Sequence, residues 1–539
     1  MFPLHGILNI CHVDVTRRRP LMDINLREVT SSAVLEEKKK LKREFGYLDM
    51  IFYTLAALIG LDTIGAFSAN GAQALTWLVI SAITFLVPYA LLTAELGSTF
   101  TQEGGMYVWC RLAGGRFFGA LGAMMYWVSN PLWLGGTLAV SAIAAIKAFW
   151  FGSLNYQFGG TAGTDAAVEI LIALFFVWGT IWCAILSLRV GKYLSIFGSY
   201  LKLGLLAVFV LLAMLYLIGG HSHGGSLNFA DLIPAHFGIV VSFIIPVLIF
   251  QWQGFEVQNG AGEEMVNPQR DVPRSIIRAG AVAVVAYAAF LITILLVLPK
   301  DQLSNVGSFL TAFKAVDVVL GPLATPVGWL VALAFALALA SSGGTWIMGA
   351  DRTYAISALD RTAPLIFGRF SARYGTPIAV NLMSGIMATI AMVAAVLVTK
   401  FASGNITTLF ALVLGFVIST ATIAYLFIFP SFLILRYKYP NVPRVYKVPG
   451  GMPVAWIVTV LAFGYAFVAV FFILIPSTVP GSIGRLTYEL TQFIPLIIIV
   501  LLTIVFYIMG HNDKRNQDVV VELVTGESEV SEVGGGAGE

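Results

Sequence analysis

Two apolar segments of the chain place a carboxylate close to a glycine. The first contains Gly60 and Asp62, and the second contains Gly254 and Glu256. Glycine costs about 1 kcal/mol in a helix interior, and an ionisable side chain at the centre of a bilayer costs about 2.5–3.5 kcal/mol or more. We therefore expect these residues to bind a polar ligand where the helix backbone is interrupted. For a single glycine, close helix packing is the alternative explanation.

The composition indicates that these segments lie in a lipid bilayer. Hydrophobic residues make up 58% of the 539 residues, and charged residues make up only 11%, against about 25% in soluble domains. Each apolar run of about 20 residues can cross a hydrocarbon core about 30 Å thick. We expect an all-α polytopic membrane protein with twelve transmembrane helices. The predicted spans are residues 46–69, 74–94, 117–146, 167–187, 193–218, 236–260, 276–298, 326–350, 377–399, 405–434, 454–475 and 490–510.

The charge distribution predicts the topology. Residues 1–45 form a basic tail, residues 46–510 hold the spans, and residues 511–539 are expected to be an unstructured tail. With the amino terminus inside, most of the 32 Lys and Arg residues fall on cytoplasmic segments, as the positive-inside rule requires. Both termini are therefore predicted to be cytoplasmic, in a plasma or bacterial inner membrane. The net charge of +3 does not indicate a nucleic-acid partner.

The positions of the two anomalous helices predict an inverted repeat. Helices one and six are the first members of two groups of five, and an odd number of crossings inverts the second group. The groups comprise about residues 46–218 and 236–434, and residues 454–510 add two helices. Glycine-interrupted helices at matching positions of two inverted halves indicate a transporter's substrate site near the bilayer midplane.

Four motifs and one lysine carry a resemblance to a known family. The motifs are Gly254-Phe255-Glu256, Asn267-Pro268-Gln269-Arg270-Asp271-Val272-Pro273, Glu103-Gly104-Gly105-Met106-Tyr107 and Gly349-Ala350-Asp351-Arg352, and the lysine is Lys202. From about residue 45 to 510, the sequence resembles the amino acid, polyamine and organocation transporter superfamily. The resemblance implies a LeuT-like five-plus-five inverted repeat with two accessory helices and broken helices one and six. It also implies secondary active transport of amino acids or related amines by alternating access.

The resemblance implies that both helix breaks bind a small-molecule substrate. Backbone N–H groups after the first break would bind a carboxylate, and carbonyl groups at the second would accept hydrogen bonds from an ammonium. Phe250 would close over the substrate, with contact to lipid or core packing as its alternative, and Trp346 could wall the pocket although core packing is favoured. The implied substrate-binding residues are Gly60, Leu61, Asp62, Thr63, Ile64, Phe250, Trp252 and Gly254.

Asp62 departs from the family pattern, because a second glycine usually stands at this position. A carboxylate there would repel a substrate carboxylate. An ionised Asp62 would pair with a substrate ammonium, which favours a cationic or ω-amino substrate. A protonated or inward-turned Asp62 would instead be a structural donor or take part in proton coupling. The sequence leaves both readings open, so a polyamine or other amine is the alternative to an amino acid.

Lys202 lies within the fifth span, where several sodium-independent members of the family carry a lysine. An ammonium inside the membrane must find acceptors, and the resemblance places it near Ser341 and Ser342, where sodium-coupled relatives bind sodium. We therefore predict a sodium-independent carrier driven by protons or by exchange. The alternative is that Lys202 extends to the membrane interface. Glu256 is implied either to transfer protons or to clamp a cytoplasmic gate.

The sequence predicts no cofactor, no metal and no enzymatic activity. His221, His223 and His236 lie in or next to an external loop, and two or three histidines alone are a weak indication of a metal site. Neither a phosphate-binding loop nor a nucleophile–base constellation is recognisable. A membrane sensor with a transporter fold is the second functional class, disfavoured because no output domain is recognisable. The oligomeric state is left open.

Overall fold

The computed structural model describes residues 26–529 with short gaps. The gaps are residues 42, 187, 222–224, 234–237, 239, 304–306, 402–405, 478, 480–483, 517 and 525–526. His223 and His236, together with residues 1–25 and 530–539 of the predicted tails, lie outside the described residues.

Helices form almost all of the described structure, and three strands lie near the chain ends. The strands are β1 (Leu26–Ser31), β2 (Asp518–Val524) and β3 (Glu527–Glu529). The α-helices are α1 (Ser32–Lys38), α2 (Tyr47–Leu58), α3 (Thr63–Ser68), α4 (Gln73–Ser81), α5 (Val87–Thr99), α6 (Met106–Gly114), α7 (Arg116–Trp133), α8 (Ala139–Trp150), α9 (Ala162–Ile185), α10 (Leu188–Ile218), α11 (Ile245–Trp252), α12 (Pro268–Val297), α13 (Ser308–Val316), α14 (Ala324–Ser357), α15 (Ile378–Phe401), α16 (Ile406–Lys438), α17 (Gly451–Leu474) and α18 (Arg485–His511).

Eleven helical segments within the described residues are long and apolar enough to cross a membrane. The first expected span is divided between α2, with 12 residues, and α3, with 6 residues. Neither part alone reaches the length of a full span. The all-α polytopic class is therefore confirmed, and the count of twelve transmembrane helices stays a prediction.

Both predicted helix interruptions are present. α2 ends at Leu58, and Ile59 has an extended backbone with a ψ of 94°. α11 ends at Trp252, and Gly254 has a φ of 134°. A residue with a Cβ would be strained at that φ, whereas glycine adopts it freely. The chain then continues as a 3₁₀ helix over Val257–Glu264.

The broken helices lie among the long helices that complete the two repeats. The first repeat consists of α2–α3, α4–α5, α7–α8, α9 and α10, and the second of α11 with the 3₁₀ segment, α12, α14, α15 and α16. α2 packs against α10, α12 and α14, and α3 contacts α11. Side chains from several helices therefore surround both breaks, and α17 and α18 are the two accessory helices.

The two ends of the described chain pair with each other on one side of the helices. β1 is antiparallel to β2, with Leu26 opposite Leu523, and β2 also pairs with β3. The Ser31 hydroxyl and the Asn516 amide both donate hydrogen bonds to the Leu359 carbonyl, each at 2.5 Å. We call the side formed by α1 and the three strands the terminal face.

The expectation of an unstructured tail over residues 511–539 is therefore wrong where β2 and β3 form. Val519, Val520 and Val521 are β-branched residues, which favour strands. The strand needs a partner to be stable, and that partner is β1 at the other end of the sequence. A long-range pairing of this kind cannot be read from the composition of the tail.

Candidate functional site

The carbonyl groups at the end of α2 accept hydrogen bonds from three other helices. A helix leaves its last four carbonyls without partners inside the helix. The bonds run from Lys202 Nζ to the Ala56 carbonyl (2.6 Å), from Trp346 Nε1 to the Ala57 carbonyl (3.1 Å) and from the Tyr287 hydroxyl to the Leu58 carbonyl (2.6 Å). The Tyr287 hydroxyl also accepts the Gly60 N–H at 2.9 Å. Helices α10, α12 and α14 therefore fix the first break in place.

The second break is held by a tyrosine of α5. The Tyr89 hydroxyl accepts hydrogen bonds from the backbone N–H groups of Gly254 (3.0 Å) and Phe255 (2.9 Å). These N–H groups lie where the helix is unwound, so they need partners outside the helix. Tyr89 supplies that partner and donates its own proton to the Glu256 carboxylate.

Glu256 is enclosed by the hydroxyls of Tyr89, Tyr126 and Tyr425, which we call the tyrosine cluster. Its side chain is buried at 1% exposure. Tyr126 donates to its carboxylate at 2.9 Å and Tyr425 at 2.7 Å. The three hydroxyls come from α5, α7 and α16, so Glu256 joins the second break to three further helices. Hydrogen bonds of this kind offset the cost of burying a carboxyl group.

A small central cavity lies between the two breaks. It is lined by Ala57, Leu58, Gly60, Thr63, Trp133, Phe250, Gln251, Tyr287 and Trp346. The rings of Trp133, Phe250 and Trp346 form an aromatic box on its wall. Trp133 meets Phe250 edge to face, with ring centroids 5.8 Å apart, and it meets Trp346 in the same way at 6.4 Å. Aromatic faces of this kind attract cations.

Asp62 lies beside the aromatic box and is buried at 5% exposure. Its Oδ2 atom accepts hydrogen bonds from Trp133 Nε1 (2.9 Å) and the Thr137 hydroxyl (3.2 Å). Its Oδ1 atom has no hydrogen-bond partner among the described residues. A side chain at Gly60 would place its Cβ 3.4 Å from this Oδ1, so the glycine leaves room beside the carboxylate. Asp62 therefore has one oxygen free to accept a ligand's proton or hydrogen bond.

Gln251 adds a second free acceptor. Its Nε2 atom donates to the Thr63 hydroxyl at 3.1 Å, which fixes the orientation of the amide. Its Oε1 atom is buried and, within the described part of the chain, unpartnered. Buried acceptors without partners are costly, and a bound ligand that donates hydrogen bonds would remove that cost. The polar groups at the site that lack partners are thus acceptors.

The sequence profile of the family described as "Amino acid permease" matches residues 45–502. The chain belongs to the amino acid permease family. Its relatives include the probable agmatine/putrescine antiporter AguD of Lactococcus lactis, which is 28% identical over 81% of this chain and 89% of that protein. The glutamate/gamma-aminobutyrate antiporter of the same species is 23% identical over 85% of this chain and 88% of that protein. The permease is therefore a secondary transporter of amino acids or amines.

Solved structures support the fold of the permease. A crystal structure of the Eremococcus coleocola manganese transporter, in complex with an aromatic bis-isothiourea substituted compound, matches with a TM-score of 0.52 at 14% identity. The match covers 94% of this chain and 99% of that chain. It confirms the LeuT-like inverted repeat and, at this identity, concerns the fold alone. In the described part of the permease, no group of three or more His, Cys, Asp or Glu residues could hold a metal ion.

Five of the eight residues predicted to bind substrate line one of two cavities near the first break. Gly60, Thr63 and Phe250 line the central cavity. Leu61 and Asp62 line a second cavity that adjoins α3. The structure therefore brings the two breaks together around one region, as the sequence predicts, but it divides the first break between two cavities.

The other three predicted residues line neither of these cavities. Ile64 is buried in the core. Trp252 Nε1 donates to the Ser81 hydroxyl at 2.9 Å, so the indole nitrogen is directed towards α4, and its contact with substrate stays a prediction. Gly254 forms the second break and lets Trp346 approach closely, because a Cβ there would lie 3.4 Å from the indole.

Lys202 is fully buried, which is contrary to the alternative that it extends to the membrane interface. Its ammonium donates to the Ser342 hydroxyl at 2.6 Å as well as to the Ala56 carbonyl. Ser341 differs from the expectation, because its hydroxyl is buried without a hydrogen-bond partner in the described structure. Neighbouring residues on a helix point in directions about 100° apart, so only one of the two serines faces Lys202.

Several residues at the site were not singled out by the sequence analysis. They are Tyr287 and Gln251 at the first break, and Tyr89, Tyr126 and Tyr425 around Glu256. All carry a polar group inside an apolar span, which is the signal that could have identified them. Tyrosine is common in such spans near interfaces, so that signal is weak without the third dimension.

A buried charge network links the connectors of the terminal face. Arg352 Nε lies 2.9 Å from Glu264 and 3.6 Å from Glu103. Next to it, Lys38 of α1 pairs with Glu263 at 2.5 Å. Glu103 and Glu264 thus share one guanidinium. Burial and the nearby Glu264 charge hold the pKa of Glu103 well above its usual range, although Arg352 opposes this effect.

We expect Glu103→Gln to weaken the pH dependence of folding stability. Because the raised pKa lets the folded protein keep a proton that the unfolded chain releases, the stability from this group is present below about pH 4.5 and decreases as pH rises towards the raised pKa. The melting temperature of the purified permease, measured from about pH 5 to about pH 8, should therefore fall less in Glu103→Gln than in the wild type. Exposed Glu36 provides the control, Glu36→Gln, and parallel curves for all three proteins would contradict the assignment.

Proposed function

We propose that the permease transports an organic amine cation by alternating access, without sodium and by exchange or proton coupling. The observation that carries this proposal is the buried Asp62 carboxylate, which binds Trp133 of the aromatic box through Oδ2 and whose Oδ1 has no partner among the described residues. A substrate ammonium would pair with the carboxylate and be attracted by aromatic faces within about 6 Å. Gln251 Oε1 offers a further acceptor for its N–H groups.

The same site disfavours a substrate carboxylate near Asp62. Like charges at close range repel, most strongly where water is excluded. The buried cation next to the first break is Lys202, and its ammonium already binds the Ala56 carbonyl and Ser342. An amine without an α-carboxylate therefore fits better than a plain α-amino acid. The relative named as an agmatine/putrescine antiporter supports this choice.

Lys202 supports transport without sodium. Its ammonium lies between α2 and α14, and a fixed positive charge there opposes the binding of a sodium ion. The energy for transport would then come from a proton gradient or from exchange of one amine for another. The antiporters among the relatives support exchange.

Glu256 and the tyrosine cluster are proposed to clamp the second break when the substrate path from the central cavity to the terminal face is closed. Their hydrogen bonds join α5, α7 and α16 to the unwound backbone, so opening this path requires breaking them. We assign the terminal face to the cytoplasm, because the basic amino-terminal tail precedes it and basic segments stay inside. The permease would then be a multi-pass protein of a plasma or bacterial inner membrane, with both termini cytoplasmic.

Uptake of radiolabelled agmatine and putrescine into proteoliposomes tests the proposed function. We expect uptake that does not need sodium and that increases with an imposed pH gradient or with preloaded unlabelled amine. Branched-chain amino acids should compete weakly. Uptake of neutral α-amino acids with no competition by either amine would contradict the proposal, and no uptake of any amine or amino acid would favour the sensor alternative.

Removing one wall of the aromatic box is expected to lower amine affinity. Phe250→Leu keeps an apolar side chain but removes the ring face, which contributes about 0.5–2 kcal/mol to cation binding. The dissociation constant should therefore rise by about 2- to 30-fold, measured by competition against labelled amine. Phe467, which is 52% exposed on α17, provides the matched control Phe467→Leu. Equal affinities in the wild type and Phe250→Leu would exclude the box from cation binding.

A further inference from the structure

A second small cavity adjoins Asp62, and its lining shares no residue with that of the central cavity. It lies between α3, α8, α13 and α14, and its wall includes Leu61, Asp62, Ser141, Phe309 and Phe335. Of these side chains, Asp62 and Ser141 have polar atoms. The cavity therefore has one carboxylate and one hydroxyl among otherwise apolar side chains.

The connections of the chain place this second cavity towards the face opposite the terminal face. α12 begins next to Glu263, which pairs with Lys38 of α1, and α14 ends next to Leu359, which binds Ser31. Both helices thus have one end at the terminal face. α13, which connects their other ends and lines the cavity, must lie at the opposite face.

Asp62 is the group that connects the two cavities. Oδ2 is bound to Trp133, a wall of the central cavity, and Oδ1 is buried without a partner while the residue lines the second cavity. The described structure gives Asp62 no ion pair. The ionisable groups that face it are Lys202, whose ammonium binds Ala56 and Ser342, and Tyr287, whose hydroxyl bridges the first break.

A buried carboxylate without a fixed counter-ion must acquire one or bind a proton. In the proposed function an amine cation supplies the positive charge. When the central cavity holds no amine, Lys202 cannot move to Asp62 without leaving the Ala56 carbonyl unpaired. The remaining partner is a proton, and the second cavity has room for about one water molecule, which could carry the proton to or from Oδ1.

Resting on the proposed function, we propose that Asp62 binds either the amine cation or a proton, and that the proton is exchanged through the second cavity. On amine binding, the O–H bond of the carboxylic acid breaks, the proton leaves to water in the second cavity, and the ammonium pairs with the resulting carboxylate. No electron moves and no further reactant is needed. Amine and proton then compete for one carboxylate.

The test measures proton release when putrescine binds to the purified wild-type permease in weakly buffered detergent solution. Binding is followed by the intrinsic tryptophan fluorescence of the protein, and proton release is followed by a pH indicator. At an acidic pH, about one proton should leave for each bound molecule, and the affinity should weaken about tenfold for each unit of pH below the pKa of the group. Glu103→Gln, which changes a different buried carboxyl, should behave like the wild type.

Three results would overturn the inference. The first is putrescine binding that is unaffected between about pH 5 and about pH 8 and releases no proton, which would leave the proposed function intact. The second is proton release that persists when putrescine binds to a folded Asp62→Asn variant. The third is loss of proton release in Glu256→Gln. Either result would assign the proton to a group other than Asp62. No binding of putrescine at any pH would instead remove both the inference and the proposed amine function.

Discussion

Replacing Asp62 with asparagine is expected to raise the dissociation constant for amine cations by at least about 30-fold. Asparagine keeps the size of the side chain and can still accept a hydrogen bond from Trp133 Nε1, but it cannot pair with an ammonium. Losing one partner of a buried charge pair costs about 2–5 kcal/mol, which corresponds to about 30- to 5,000-fold. Uptake and competition in proteoliposomes measure the change.

The charge of the competitor separates this effect from a general loss of structure. Competition by a neutral zwitterion of similar size should change much less than competition by an amine. Asp301, an exposed residue outside the spans, provides the control Asp301→Asn, which should match the wild type. Equal losses for amines and zwitterions in a folded Asp62→Asn variant would contradict the amine-pairing role.

Replacing Lys202 with alanine is expected to reduce transport by about 100-fold or more. The change leaves the Ala56 carbonyl and the Ser342 hydroxyl without their shared donor. A hydrogen bond to a charged group contributes about 1.5–3 kcal/mol, and two are lost together at the point where α2 ends. The break should then lose its defined geometry, and the melting temperature of the purified protein should fall.

Transport rates and melting temperatures of Lys202→Ala, measured with and without sodium, test this role. Lys300 is exposed, so Lys300→Ala provides the matched control and should keep wild-type transport. Loss of transport in Lys202→Ala with folded protein in the membrane is the expected result. A variant with wild-type transport would show that Lys202 does not support the site.

The sequence predicts the helix breaks well because their cause is local. Gly254 has a backbone conformation that only glycine adopts freely, and Gly60 leaves space beside the Asp62 carboxylate. Both glycines lie next to a carboxylate that a lipid-facing helix would not tolerate. The burial of Lys202 could be predicted for the same reason. Its ammonium lies far from either end of the span and must therefore be buried in protein rather than in lipid.

The direction of individual side chains could not be predicted in the same way. Trp252 turns towards Ser81, while Phe250, two residues earlier, lines the central cavity. That difference depends on the rotation of the short helix α11 about its axis. Ser341 and Ser342 differ for the same reason. Tyr287 binds the break from a helix more than 200 residues away, a contact that no local pattern indicates.

A structure of the permease with a bound amine, determined in a lipid bilayer by electron cryomicroscopy, tests the central claim most directly. We expect an ammonium nitrogen about 2.8 Å from Asp62 Oδ1, with Trp133, Phe250 or Trp346 presenting a ring face within about 6 Å of it. An amine bound elsewhere, or a substrate carboxylate at the first break with Asp62 turned away, would contradict the account.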